Sequence, residues 1–188
     1  MPNATRPERY DAVAKFLHWT VAALIVLQFV LAYMADDLPV GVHKLALLAR
    51  HKSVGMTVLM LAIVRLGWRL AHAPPPLPTH MRPLEQRLAR LGHAALYVLL
   101  FAMPLTGWLM SSAKSYSVSW FGLFTWPNLV GKNERAFELL RDTHDTLSVA
   151  LLVIASLHLI AALKHHFWDK DDVLARMLPF GNRTRTPR

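Results

Sequence analysis

Long apolar runs separated by short polar segments dominate the pattern of this chain. Four of these runs approach the roughly 20 residues that an α-helix needs to cross a bilayer. They lie at about 12–34, 53–71, 92–112 and 144–163. Because the runs leave little sequence for a separate soluble unit, the pattern predicts one all-α domain over residues 1–188, an integral membrane four-helix bundle. The basic end of the chain, 180–188, is predicted to be disordered.

Proline and aromatic residues mark the connections between the predicted spans. The segment "PPPLP" at 74–78 cannot continue a helix, whereas Pro83 suits a first helical turn, so the third helix is expected to begin well before its apolar run. Pro104 lies inside that run and is expected to kink it. The loop at 117–127 is rich in Trp and Phe, which indicates an interfacial segment over one end of the bundle.

The distribution of Lys and Arg predicts the orientation of the bundle. Fourteen of the 21 basic residues lie near the two termini and the second connection, which fall on one side of the membrane, and seven lie on the other side. Basic flanks tend to stay in the cytoplasm. Both termini are therefore expected to be cytoplasmic.

Composition supports a membrane protein and narrows its chemistry. The chain is 54% hydrophobic and 18% charged, and its net charge of +9 flanks apolar runs instead of covering a soluble face, which argues against nucleic-acid binding. Since there is no cysteine, disulfides, thiolate metal sites, iron–sulfur clusters and thioether-linked haem are excluded. The ten histidines are the main pool of metal ligands.

Two histidines in the last span share one helix face. His144 and His158 are 14 positions apart, which leaves them about 40° from perfect alignment and about 21 Å apart along the axis. In the predicted topology His51 lies at the depth of His144, and His18 lies at the depth of His158. Two histidine pairs, one in each leaflet, are therefore expected.

Bis-imidazole binding of two b-type haems accounts for both pairs, because a haem iron accepts two axial nitrogens and the porphyrin suits an apolar bundle. Histidines that only hydrogen-bond neighbouring helices, a zinc site and a proton-transfer site remain as alternatives. His93 is the strongest rival ligand, since the third helix carries it to the depth of His18. Arg65 follows His51 by 14 positions, which favours a role as partner of a haem propionate.

Several segments resemble the bacterial cytochrome b561 family of small four-helix di-haem membrane proteins. The matching segments are "YDAVAKFLHW" (10–19), "HKSVG" (51–55), "LGHAALYVLLFAMPLTGW" (91–108), "WFGLFTWP" (120–127), "THDTL" (143–147), "LHLIAAL" (157–163) and "HHFWDKDDVLARMLP" (165–179). They follow the family order over nearly the whole chain. At Lys15 many family members carry Arg, so this chain keeps the charge but loses the planar fork that binds a propionate.

The resemblance implies that the axial haem ligands are His18, His51, His144 and His158, paired His18 with His158 and His51 with His144. It implies two haem b groups in a multi-pass protein of the bacterial inner membrane. It also makes His165 a candidate contact for a quinone headgroup, with a solvated interfacial histidine as the alternative.

Family members exchange electrons with membrane quinones, and some oxidise superoxide while reducing ubiquinone. This short chain with its "HHF…RMLP" ending is similar to the stand-alone type, so a superoxide:quinone oxidoreductase that takes electrons from a periplasmic donor is expected. A haem-containing anchor that relays electrons from a separate dehydrogenase or hydrogenase is the alternative, and a non-haem ion transporter is a third. Basic residues on the outer side could steer a small anion to the outer haem. These residues are Lys52, Lys114, Lys132 and Arg141.

Overall fold

The computed structural model describes residues 9–78 and 81–179, which form four long helices and a short hairpin. The elements are α1 (Ala12–Asp36), α2 (Val42–Ala71), α3 (Pro83–Ala113), β1 (Val118–Trp120), β2 (Phe124–Trp126) and α4 (Glu134–Phe167). All four helices are long and apolar enough to span a membrane. The predicted four-helix membrane bundle is confirmed, while the tail at 180–188 lies outside the described residues.

Three of the helices extend beyond the apolar runs that predicted them. α2 begins at Val42 and α4 at Glu134, about ten residues before the predicted spans, and α3 begins at Pro83 as its proline indicates. The added turns carry charged residues that are good helix formers, which hydropathy alone does not detect. α4 is capped by Asn133, whose side-chain oxygen accepts a hydrogen bond from the Ala136 amide at 3.0 Å.

The aromatic connection after α3 folds into an antiparallel hairpin, which the sequence pattern did not predict. Its turn places Phe121 and Gly122 at φ of 51° and 79°, a left-handed pair that glycine makes easier to adopt. The Ser53 hydroxyl of α2 accepts a hydrogen bond from the Phe121 amide at 3.1 Å. The Trp120 indole donates to the Thr57 hydroxyl at 3.1 Å, so the hairpin is fixed on α2.

The opposite end of the bundle is closed by the segment after α4. The Trp19 indole donates to the Met177 carbonyl at 2.9 Å, and the Arg176 guanidinium donates to the Pro76 carbonyl at 2.7 Å. These bonds link both ends of the described chain to the same side of the bundle. We call this side the terminal end, and the side that carries β1 and β2 the hairpin end.

Within the described ranges, each helix packs on the next helix along the chain, and α4 packs on α3 but not on α1 or α2. α1 packs on α2, α2 on α3, and α3 on α4, but among the described residues no Cα atom of α4 lies within 8 Å of α1 or α2. The buried apolar cluster of Val21, Val58, Ala62 and Leu100 joins α1, α2 and α3 only. A groove therefore separates α4 from α1 and α2, and the paired histidines lie along it.

Candidate functional site

Two pairs of imidazole rings face each other across this groove. His18 of α1 lies opposite His158 of α4, with ring centroids 6.3 Å apart and planes at 73°. His51 of α2 lies opposite His144 of α4, with centroids 6.4 Å apart and planes at 75°. Each pair joins helices whose backbones do not pack on each other. The structure thus brings together the histidines that the depth argument paired.

The spacing of the rings matches what two axial ligands of one metal require. Two metal–nitrogen bonds of about 2 Å each, plus about 1.1 Å from each nitrogen to its ring centre, put the centroids about 6 Å apart. Both pairs are within a few tenths of an ångström of this value. The ring spacing at both pairs therefore fits a metal held between the two imidazoles.

A cavity of about 290 Å³ lies beside the pair at the hairpin end, and its lining fits a flat apolar group. His51 and His144 line it together with Gly55 and Gly107, two residues that add no side chain of their own to the space. Two buried polar atoms in this lining, His51 Nδ1 and the Gln28 side-chain oxygen, have no hydrogen-bond partner within the described protein. Most of the remaining lining is apolar, as a porphyrin face requires.

Thr106 holds the ring of His144, a contact that the sequence analysis did not predict. The Thr106 hydroxyl lies 3.1 Å from His144 Nδ1, and a Cβ at Gly107 would lie 3.2 Å from Cε1 of the same ring. The signal was present in the sequence as a polar residue beside a glycine in an apolar helix at the depth of His144. Depth alone did not reveal it, because the rotation of α3 relative to α4 is set by packing.

Arg65 lies beside His18, in the region where the sequence predicted a propionate partner. Its Nη2 is 2.9 Å from His18 Nδ1, and its guanidinium lies over the Tyr97 ring at 5.6 Å. Arginine only donates, so this contact puts the imidazole proton on Nε2. Coordination through Nε2 requires the proton on Nδ1, and a ligating His18 therefore needs Arg65 to turn to another acceptor.

The terminal-end cavity supplies a cationic environment beside His18. It has a volume of about 460 Å³ and is lined by residues of α1, α2 and α3, among them Arg65, Arg69 and Tyr97. The Arg69 guanidinium also lies over the Tyr97 ring, at 5.8 Å. Two guanidinium groups at one cavity wall fit an anionic group such as a carboxylate.

His93 is close to the terminal-end pair, but its spacing differs from that of a sandwich. Its ring centroid lies 5.3 Å from that of His158, with planes at 66°. This is 1.0 Å shorter than the His18–His158 centroid separation and too short for two metal–nitrogen bonds on opposite sides of one metal. In this arrangement His93 is a neighbour of the pair.

His165 is buried at the end of α4, where two carboxylates face it. It is 9% exposed, and its Nδ1 lies 2.7 Å from Asp171 Oδ2 and 3.1 Å from Asp169 Oδ2. Lys164 bonds the same Asp169 oxygen at 2.8 Å. A freely solvated interfacial histidine does not have these contacts, so His165 is a fixed imidazole with Nε2 as its remaining polar atom.

The four basic residues proposed for anion steering have different surroundings. Lys52 lines the hairpin-end cavity, and its Nζ lies 5.4 Å from the Tyr116 ring centre. Lys114 bonds Glu134 at 2.5 Å, and this hydrogen bond raises the pKa of Lys114 while the carboxylate offsets its charge. Arg141 lies 3.4 Å from Asp142, and Lys132 is exposed. Of the four, Lys52 is the one placed to act on an anion entering the cavity.

The chain is similar to known proteins over nearly its whole length. Residues 9–180 match the family described as prokaryotic cytochrome b561. The chain is 37% identical over 182 residues to cytochrome b561 homolog 2 of Escherichia coli, covering 95% of both chains. It is 27% identical over 172 residues to a probable superoxide oxidase of Yersinia pestis, covering 92% of this chain and 97% of that one. It is also 27% identical over 187 residues to cytochrome b562 of Cereibacter sphaeroides, covering 93% and 98%.

Proposed function

Because the chain belongs to the prokaryotic cytochrome b561 family, we propose that it transfers electrons from a periplasmic donor to membrane quinone. Membership makes it a multi-pass bacterial membrane protein that carries haem b and takes part in electron transfer. Superoxide is the proposed donor, and a relative named probable superoxide oxidase supports this choice. In the balanced reaction two superoxide anions each lose one electron to become O₂, and one quinone gains two electrons and two protons.

The observation that carries the proposal is the spacing of the two imidazole pairs. Separations of 6.3 and 6.4 Å support His18 with His158, and His51 with His144, as axial ligands of two haem b groups. These four imidazoles would hold the haems, and haem b, when bound, would supply one-electron redox chemistry. His144 and His158 lie on one continuous helix about 21 Å apart along its axis, which supports a route across most of the membrane.

The proposed orientation places the terminal end in the cytoplasm and the hairpin end in the periplasm. The excess of Lys and Arg near the termini supports it. In this orientation Lys52 and the hairpin-end pair face the donor. Arg65 and Arg69 are proposed partners of the propionates of the inner haem, because two half-buried guanidinium groups at one cavity wall favour an anion between them.

Lys52→Gln is expected to slow haem reduction by superoxide about two- to fivefold at low ionic strength, since a single charge supplies part of the steering that a whole field provides. The difference from wild type should shrink as salt screens the charge. Stopped-flow absorbance of the purified protein measures the rate. Lys44→Gln removes an equal charge from α2 outside the cavity and serves as the matched control. If both variants slow equally, or if neither responds to salt, Lys52 does not steer the anion.

The quinone headgroup is proposed to bind at the terminal end beside His165. The contact of His165 Nδ1 with Asp171 supports this role, because it fixes the ring and leaves Nε2 to bond a quinone oxygen. Asp169, which also bonds Lys164, lies 3.1 Å from the same Nδ1 atom and holds the ring from a second carboxylate. The proposed headgroup is thereby kept at the cytoplasmic end, where protons are available.

His165→Ala is expected to raise the KM for quinone about tenfold, which is the effect of losing one hydrogen bond of about 1.4 kcal/mol. His166→Ala changes the exposed neighbour and should leave KM unaltered. Steady-state quinol formation with a superoxide source measures KM, and a haem spectrum of each variant confirms that the haems remain. Equal KM values for wild type and His165→Ala would remove His165 from the quinone site.

The isolated chain distinguishes this function from that of an anchor subunit. A self-sufficient oxidoreductase forms quinol from superoxide without a partner, after spontaneous dismutation is subtracted with a superoxide dismutase control. A relay subunit would hold haem yet form quinol only when its dehydrogenase or hydrogenase partner is added. Quinol formation by the purified chain alone is the result that the proposal predicts.

A further inference from the structure

The hydroxyl of Thr106 lies between the backbone of its own helix and the ring of His144. Its oxygen is 2.8 Å from the Ala102 carbonyl, 2.9 Å from the Met103 carbonyl and 3.1 Å from His144 Nδ1. A hydroxyl has one proton to donate, and the two carbonyls can only accept. Oxygens 2.8 and 2.9 Å apart repel unless a proton lies between them, which favours donation by Thr106 to the backbone and leaves its lone pairs facing the imidazole.

This arrangement determines the tautomer of His144. With its proton on a backbone carbonyl the hydroxyl accepts from the ring, and the Met103 backbone carbonyl bonded to the same ring also accepts, so this arrangement favours the proton on Nδ1 and the lone pair on Nε2. Among the described residues, the Nδ1 atom of His51 has no side-chain hydrogen-bond partner. At His18 the Nδ1 atom faces a guanidinium donor. Of these three rings, His144 is the one whose Nδ1 faces a side-chain hydroxyl.

Steric contacts hold the same ring from α3. A Cβ at Gly107 would lie 3.2 Å from His144 Cε1 and 3.5 Å from Nδ1, so the ring lies against the bare backbone of Gly107. A hydroxyl inside a membrane helix is costly unless it is bonded, and the i−4 carbonyl of Ala102 satisfies Thr106 without help from His144. The contact between the Thr106 hydroxyl and the His144 ring is therefore not needed to stabilise α3, and it can serve to position the ring.

We propose that Thr106 is a positioning residue for the hairpin-end haem, which fixes the tautomer of His144 and increases the basicity of Nε2 toward iron. The proposal rests on the proposed ligation by His144. A more basic axial imidazole favours the ferric form, and outer partners of metal-binding histidines typically change metal affinity by 10- to 100-fold. Thr106 therefore lowers the midpoint potential of this haem and slows its loss.

Thr106→Val, which keeps the shape and removes the hydroxyl, tests the proposal against Thr106→Ser, which keeps the hydroxyl. Redox titration of the purified holoprotein is expected to show a higher midpoint potential for one of the two haems in Thr106→Val and an unchanged potential for the other. Transfer of haem to excess apomyoglobin should become about tenfold faster for the affected haem. Thr106→Ser should return both values close to those of the wild type.

Gly107→Ala gives a second test, which can be done even if the Thr106→Val protein does not fold. The added methyl group should push the ring away from Thr106 and shift the same haem in the same direction, whereas Gly92→Ala on the same helix, with open space around it, should not. The proposal is overturned if Thr106→Val matches wild type, if both haems shift equally, or if serine fails to restore the values. His144→Ala separates this from the larger claim: if it retains both haems, the ligation itself is wrong.

Discussion

His144→Ala and His51→Ala are each expected to hold about one haem b per chain, where the wild type holds two. Each substitution removes one of the two imidazoles that lie 6.4 Å apart, and a single axial nitrogen in a wide cavity retains haem poorly. The His18–His158 pair is on the other half of the bundle and should keep its haem. Haem extraction and quantification against protein concentration gives the stoichiometry.

His43→Ala is the matched control for these two variants. His43 is an exposed residue on α2, in the helical extension before His51, and should leave the stoichiometry at two. The remaining haem in His144→Ala should also keep the midpoint potential of the terminal-end site. Loss of both haems in equal proportion would contradict the assignment of separate pairs, and so would full retention.

His18→Ala is expected to empty the terminal-end site, while His93→Ala should leave it filled. The reason is the spacing of the ring centroids. The His18 and His158 centroids are 6.3 Å apart, which accommodates a metal, whereas the His93 and His158 centroids are 5.3 Å apart, which does not. His158→Ala should behave like His18→Ala, because both remove a ligand of the same iron. The haem content of these three variants and the low-spin ferric signals in electron paramagnetic resonance measure the difference.

A reversed result would identify His93 as the ligand. If His93→Ala lost the haem and His18→Ala kept it, α3 rather than α1 would supply the partner of His158. Such a result would also change the role of Arg65, since its contact with His18 Nδ1 would then be compatible with the retained haem. The comparison therefore tests the pairing and the placement of the propionate partner together.

The histidine pairs could be predicted from the sequence because depth and helix face are one-dimensional properties. Fourteen residues fix both the rise and the rotation between His144 and His158, and alternating helix direction fixes which residues share a leaflet. The four helices could also be predicted, because the length of an apolar run is read directly along the sequence. Their charged extensions were missed because a helix that leaves the lipid no longer needs apolar residues.

Contacts that depend on helix rotation could not be predicted in this way. Thr106 contacts His144 because of how α3 packs on α4. Asp171 contacts His165 because the chain turns back after α4. The hydrophobic periodicity of the sequence predicts neither contact. The separation of α4 from α1 could not be predicted either. The apolar residues of α4 predict that they are shielded from water, but they do not indicate whether lipid, protein or haem covers them. The hairpin at 118–126 depends on a left-handed turn at Phe121 and Gly122, and its aromatic content indicated only an interface.

The amount of haem b per polypeptide in the purified wild-type protein tests the central claim most directly. Haem is quantified from the pyridine haemochrome spectrum and protein from amino-acid analysis, after expression with sufficient haem supply. Two facing imidazole pairs predict two b-type haems for each chain. A value of one, or a colourless protein, would contradict the account of two axial pairs that connect the faces of the membrane.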